Sequence, residues 1–266
     1  MRIAVISDVH GNLPALDVVL ADIAASGADL TLNLGDILSG PLWPVETAQR
    51  LMALGLPTIR GNHERQLLTL PRERLGASDG FAADVISAAQ RDWLVALPST
   101  MEPAPGVFCC HGTPASDLTY LLETVTPAGW RGPGEAGLRA ATADEVDQRL
   151  GGTRQRLILC GHTHVPRAVR LDDGRLVVNP GSVGLQAYDD VHPQPHLVEN
   201  GSPHARYALL TQRGADWQVE LRALPYAHED AARRAEANGR GDWVDALRSG
   251  RVGRWESGAV PVASRP

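Results

Sequence analysis

The sequence predicts an α/β fold, and three observations predict it. Short β-branched or leucine-rich runs alternate with longer helical patterns through the first third of the chain, the rhythm of strands feeding helices. Apolar runs repeatedly end at a polar cluster, and in open α/β sheets the loops beyond the carboxyl ends of strands converge on one crevice. Farther on, Asp173-Gly174 stands between two apolar runs, a hairpin signal that points to a second sheet.

In chain order, Ile3 to Ile6 reads as the first strand and Pro14 to Ala25 as a helix, with Pro14 suited to the first turn and Gly27 to the end. Leu30 to Leu34 is the next strand and Pro44 to Leu54 the next helix. Pro57 to Ile59, Val107 to Cys110, Leu157 to Cys160 and Leu176 to Val178 read as further strands, each ending at a polar motif. The stretches Asp79 to Leu97 and Thr142 to Leu150 carry no convergent polar set and read as packing helices. Val165 to Val169, Tyr207 to Thr211 and Trp217 to Leu224 complete the strands. Two short helices follow, His228 to Ala237 and Asp242 to Arg248, the second with Asp242 as N-cap. We expect a single domain over 1–266, with 227–266 a C-terminal helical extension ending in a loose Gly-, Pro- and Ser-rich tail.

A chain of 266 residues with 43% hydrophobic content can bury a substantial core. Its formal charge of −6 argues against a surface that tracks nucleic-acid phosphates, so no nucleic acid is expected as a stable partner. The opening apolar run is interrupted at Asp8, too soon for a signal peptide or membrane span, which leads us to expect a cytoplasmic protein with no membrane partner. Cys109, Cys110 and Cys160 are odd in number and lie in apolar runs, so they read as buried, reduced thiols. His192 and His196 fall in, and His204 just after, a segment from Asp189 to Pro203 that reads as a solvent loop, a peripheral metal site or lid being the less favoured reading. The six tryptophans are scattered and read as packing residues.

The chemistry is carried by Asp8-Val9-His10, Gly35-Asp36, Gly61-Asn62-His63-Glu64, His111-Gly112 and Gly161-His162-Thr163-His164, in that order. Asp, Asn and His supply oxygen and imidazole donors suited to Mn, Fe, Ni or Zn, and no thiolate is among them. Any one string could be a turn with exposed polar residues; all five in order make coincidence a poor account. Together they resemble the calcineurin-like metallophosphoesterase superfamily, and Asp8-Val9-His10-Gly11-Asn12 with Asn179-Pro180-Gly181-Ser182 resembles its small prokaryotic phosphodiesterase branch. Where that superfamily's protein phosphatases continue Gly-Asp with x-x-Asp-Arg-Gly, this chain reads Ile37-Leu38-Ser39-Gly40-Pro41.

The resemblance implies a double β-sheet sandwich flanked by helices and a site with two divalent transition-metal ions, manganese being the expected metal. It implies that Asp8, His10 and His164 hold one ion, that Asn62, His111 and His162 hold the other, and that Asp36 bridges them. It gives His63 the leaving-group oxygen, a task that suits an imidazole. Asn12 and Arg60 are candidate substrate contacts, with a turn role and a strand-end position in solvent as their alternatives; Asn179 to Ser182 would touch phosphate or support the residues that do. The function expected is hydrolysis of small phosphodiesters, nucleotide-derived ones among them, by water that the ions activate. Phosphomonoesterase and nuclease activities on the same site are the rival enzymatic readings, and a non-catalytic protein-interaction scaffold is the rival of another class. Missing ligands or a missing His63 would favour the scaffold, and neither is seen.

Overall fold

Strand β1 (Arg2–Ile6) runs parallel to β2 (Leu30–Asn33), and helix α1 (Leu13–Ser26) makes the crossover between them. Pro14 falls in the first turn of α1, Asn12 Oδ1 accepts from Ala15 N, and Gly27 ends the helix in the left-handed region at φ 68°. All four residues Ile3 to Ile6 are fully buried because both faces of the strand are covered, which is why the run is apolar throughout rather than alternating. The computed structural model describes residues 1–127 and 137–253.

The first sheet continues through β12 (Ala205–Arg213) and β13 (Asp216–Leu224), a hairpin that closes on Gly214, in the order β13-β12-β1-β2. The second sheet takes β3 (Thr100–Ala104), β4 (Val107–Cys110), β7 (Leu157–Leu159), β9 (Leu176–Asn179) and β8 (Arg167–Arg170), in the order β3-β4-β7-β9-β8, with β4, β7 and β9 mutually parallel. Ile3, Val5 and Leu32 from one sheet meet Cys109, Leu159 and Val178 from the other in a single buried cluster. The outer face of the first sheet, with Ala4 and Ile6, is covered by α1 and α2 (Pro44–Leu54); that of the second, with Ile158 and Val177, by α6 (Ala143–Leu150). The expected double-sheet sandwich with outer helices is present.

Several local expectations are corrected. Pro57 to Ile59 forms no full strand and joins the first sheet by one parallel bridge, Asn33 to Thr58. Helix α3 (Asn62–Thr69) was not anticipated, because its polar start carries motif residues rather than an apolar stripe. The stretch Asp79 to Leu97 is two helices, α4 (Ala77–Val85) and α5 (Ala88–Ala96), broken where Ser87 leaves helical geometry to cap α5 in a capping box with Gln90. A hairpin of β5 (Glu123–Val125) and β6 (Leu138–Ala140) is additional. The presumed solvent loop at 189–203 holds most of a second hairpin, β10 (Ala187–Asp190) with β11 (His196–Glu199), in which His196 is buried. After α7 (His228–Ala237), α8 (Gly241–Ser249) begins with Arg240 at its N-cap; Asp242 lies inside the first turn and ion-pairs with Arg240.

The three cysteines are free and buried. Among the described residues no helix is long and apolar enough to cross a membrane. Most of the expected C-terminal tail, with Trp255, and also Trp130, lies outside the described residues.

Candidate metal centre

Loops leaving the carboxyl ends of β1, β2, β4, β7 and β9, and of the bridge at Thr58, reach one crevice between the sheets. The β1 loop supplies Asp8 and His10, the β2 loop Asp36, the segment after the Thr58 bridge Asn62 and His63, the β4 loop His111, and the β7 loop His162 and His164. Five of these side chains are held at positive φ: Asp8 at 55°, His10 at 52°, Asp36 at 53°, His162 at 70° and His164 at 58°. Among the described residues no other non-glycine residue has positive φ. Such backbone costs on the order of 1–3 kcal/mol per residue and persists only where the surroundings impose it. Here the β1 loop is clamped on both sides. Asp8 N donates to Gly35 O at 2.9 Å and His10 N to Asp36 O at 3.1 Å, while Asp8 O accepts from Gly184 N at 3.0 Å and from Ser182 Oγ at 2.7 Å.

Two glycines are required by close approach. A β-carbon at Gly61 would overlap the Asp36 carboxylate, and one at Gly35, itself at φ 96°, would overlap the Gly61 backbone. Glu64 fastens the same junction. As the N3 residue of α3 it accepts from Gly61 N at 2.9 Å, and it also accepts from Asp36 N at 2.9 Å and Ile37 N at 2.8 Å. Burial and the nearby Asp36 charge push its pKa up, while those backbone donors pull the other way.

Two groups of donors result, Asp8 with His10 and His164, and Asp36 with His111 and His162, each with ligand atoms within 4.8 Å of one another. In the first, His10 Nδ1 bonds Ser39 O at 2.8 Å and His164 Nδ1 bonds Leu185 O at 2.7 Å. A carbonyl only accepts, so each Nδ1 carries a proton. The two Nε2 atoms then face each other at 3.1 Å, with Asp8 Oδ1 3.4 Å from the latter. In the second, His111 Nδ1 bonds Leu34 O at 2.8 Å, and its Nε2 lies 3.0 Å from Asp36 Oδ2 and 3.1 Å from Asn62 Oδ1. Electronegative atoms thus converge with too few protons to separate them, and a cation satisfies that arrangement. The donor set, imidazole and carboxylate without thiolate, fits divalent first-row metals.

The mutual fields are strong. Burial, followed by the His164 ring, pushes His10 down to about 3; burial and His111 push His162 down to about 4. For His111, burial works downward but Asp36 prevails and holds it at about 9. Burial opposes the ionised form of Asp36, yet His111 and His63 hold its carboxyl well below the ordinary carboxylate value.

His63 stands apart from both groups. Its side chain is 29% exposed where those of His111 and Asp36 are 1% and 2%, so it faces the mouth of the crevice. Its Nδ1 bonds Asp79 Oδ1 at 2.8 Å, and its ring lies 5.4 Å from that of His10. Burial alone would lower its pKa, but Asp79 and then Asp36 hold it well above the ordinary value. Asp79 was missed in the sequence: it lies in the first turn of α4, in a stretch read as packing helix, and no spacing links it to His63. Glu64 was in plain view at the third position after Gly61, the capping-box spacing.

Asn12, a candidate substrate contact, has its side chain engaged within the protein. It is fully buried, and besides capping α1 it donates from Nδ2 to Gly184 O at 2.8 Å and Tyr226 Oη at 3.0 Å. Arg60 is half-buried and donates its backbone N–H to Pro98 O at 2.9 Å. Asn179 supports the turn that carries the two late histidines, its Nδ2 donating to Gly161 O at 2.7 Å and Thr163 Oγ1 at 3.0 Å.

A two-sheet α/β sandwich with paired imidazole–carboxylate groups at the open ends of its parallel strands defines a class of metal-binding hydrolases. The calcineurin-like phosphoesterase family model matches residues 1–166, and the chain belongs to that family. It is 26% identical over 255 residues to the uncharacterized protein MJ0912 of Methanocaldococcus jannaschii, covering 91% of this chain and 95% of that one. Its fold is similar to a crystal structure of a metallophosphoesterase from Sphaerobacter thermophilus, with TM-score 0.71, 25% identity and coverage of 94% and 100%. It is also similar in fold to the hypothetical protein PH1004 from Pyrococcus horikoshii OT3, with TM-score 0.70, 17% identity and coverage of 95% and 99%.

Proposed function

We propose that the chain is a cytoplasmic, dinuclear metal-dependent phosphodiesterase acting on small phosphodiesters, with manganese as its metal. The observation that supports this reading is the presence of two donor groups, Asp8 with His10 and His164 and Asp36 with His111 and His162, each with ligand atoms within 4.8 Å of one another. Asp8, His10 and His164 would hold one ion, Asn62, His111 and His162 the other, with Asp36 shared. When bound, two such ions neutralise phosphate charge and lower the pKa of water. Everything else falls to the chain. His63, fixed by Asp79 and inclined to keep its proton, is placed to give that proton to the departing alkoxide oxygen. The clamped β1 and β2 loops hold the donors still, and burial of Asp8, His10 and Asp36 excludes bulk water from behind the reacting phosphate. The acidic balance of the chain favours a diester, with its single charge, over a monoester.

The test is kcat/KM at fixed Mn²⁺ and ionic strength for bis-nitrophenyl phosphate, nitrophenyl phosphate, cyclic nucleotides and duplex DNA, together with metal analysis of the protein. Diester preference with two ions per chain is expected. Monoester preference would make it a phosphatase, robust DNA cleavage a nuclease, and inactivity with every metal a scaffold.

A further inference from the structure

Against the His162–Thr163–His164 turn lies a largely buried polar cluster that none of the steps above uses. Tyr120, from the loop after β4, packs edge-on against His162 with ring centroids 5.0 Å apart, and Tyr188, from β10, packs against His164 at 4.7 Å. Their hydroxyls are 2.8 Å apart, and Tyr120 Oη is 2.9 Å from His196 Nε2 on β11. The direction of this chain follows from its far end. His196 Nδ1 lies 2.9 Å from Gln194 O, which only accepts, so Nδ1 carries the proton and Nε2 offers its lone pair to the Tyr120 hydroxyl. The Tyr120 oxygen then accepts from Tyr188, whose hydroxyl also approaches His162 O at 3.3 Å. His196 is 1% exposed and Tyr120 8%, so water does not compete for the bond between them.

We propose that Tyr120, Tyr188 and His196 are positioning residues: a hydrogen-bonded wall, supplied largely by the β10–β11 hairpin, that sets the ring orientation of one histidine in each donor group. The wall reaches both groups at once because the two histidines sit on either side of Thr163. Tyr188 and His196 both lie beyond residue 166, where the family match ends, whereas Tyr120 lies within it, so the wall joins the matched part of the chain to the part the match leaves uncovered. The inference rests on the metal-site reading given above.

The test uses the full chain stripped of metal and titrated with Co²⁺, whose visible absorption reports ligand geometry. Tyr188→Phe keeps the ring and removes the hydroxyl; it should weaken Co²⁺ binding about tenfold or more, the usual effect of losing a group that orients a metal ligand, and should shift the absorption bands. Tyr120→Phe should do the same. His196→Gln, which keeps an acceptor for Tyr120, should recover most of what His196→Ala loses, with unfolding midpoints in EDTA checking that each variant folds. Wild-type affinity and spectrum in both phenylalanine variants would overturn the inference while leaving the metal site standing. A wild type that takes up no Co²⁺ would instead overturn the metal-site reading beneath it.

Discussion

At the scale of single residues, the crevice divides into atoms that hold charge and one that faces outward. If Asp36 bridges the two ions as proposed, Asp36→Asn removes their shared charge, so metal content and activity should both fall, and by more than the roughly 10- to 100-fold typical of losing a ligand's outer partner. Elemental analysis beside turnover checks this, and full metal content with full activity in Asp36→Asn would refute a shared role. His63→Ala should keep its metal yet lose about 10² to 10⁴-fold in rate on esters with poor leaving groups, and much less on nitrophenyl esters, which need no proton. Asp79→Asn should show the same leaving-group dependence in weaker form. The seven candidate ligands named from the sequence, which the structure brings to one crevice, were legible because each sits in a short string after an apolar run. Asp79, Tyr188 and Trp243 were not, since their links to the site span large stretches of sequence. Trp243, for instance, stands edge-on to His10 with ring centroids 6.0 Å apart, and no spacing announces that contact.

At the scale of elements, α3 begins where chemistry needs it because Glu64 ties its first turn to the β2 loop. Glu64→Ala would orphan three buried backbone donors at about 1–3 kcal/mol each before relaxation, so a loss of about 3 kcal/mol is expected in urea unfolding with EDTA present, and Glu64→Gln should lose less. Another joint fastens α1 to the first sheet. Asp22 accepts from the Tyr207 hydroxyl, and Arg222 Nη1 reaches Asp22 at 2.8 Å and Tyr207 Oη at 3.0 Å. The Tyr207 bond and, after a smaller opposing effect of burial, Arg222 hold the Asp22 pKa below its ordinary 3.8. A carboxyl so depressed adds stability above the unfolded value, and that stability is lost as pH falls through the folded one. Stability of the wild type should therefore drop more steeply than that of Asp22→Asn below about pH 4, and parallel curves by chemical unfolding would disprove the linkage. Strong elements such as β1, α1 and α2 were legible because pattern and caps agree. The β10–β11 hairpin was not, because Pro193 and Pro195 between its strands read as loop chemistry.

At the scale of the whole molecule, the two sheets and their helices form a frame, and the crevice sits where the parallel strands of both open. Ligands that bind the folded chain alone stabilise it by mass action, so Mn²⁺ at a hundredfold excess over its dissociation constant should add about 2.7 kcal/mol, and EDTA should remove it. A melting temperature indifferent to both would count against a preformed site. The left-handed backbone at Asp8, His10, Asp36, His162 and His164 has a consequence for how such a chain could evolve. Glycine adopts that conformation freely, so at these five positions heat tolerance and turnover pull in opposite directions. A library selected only for survival at high temperature in the presence of chelator should accumulate glycine there first, drifting toward a sturdier and inert descendant. Restoring a demand for hydrolysis should reverse the drift at those same codons.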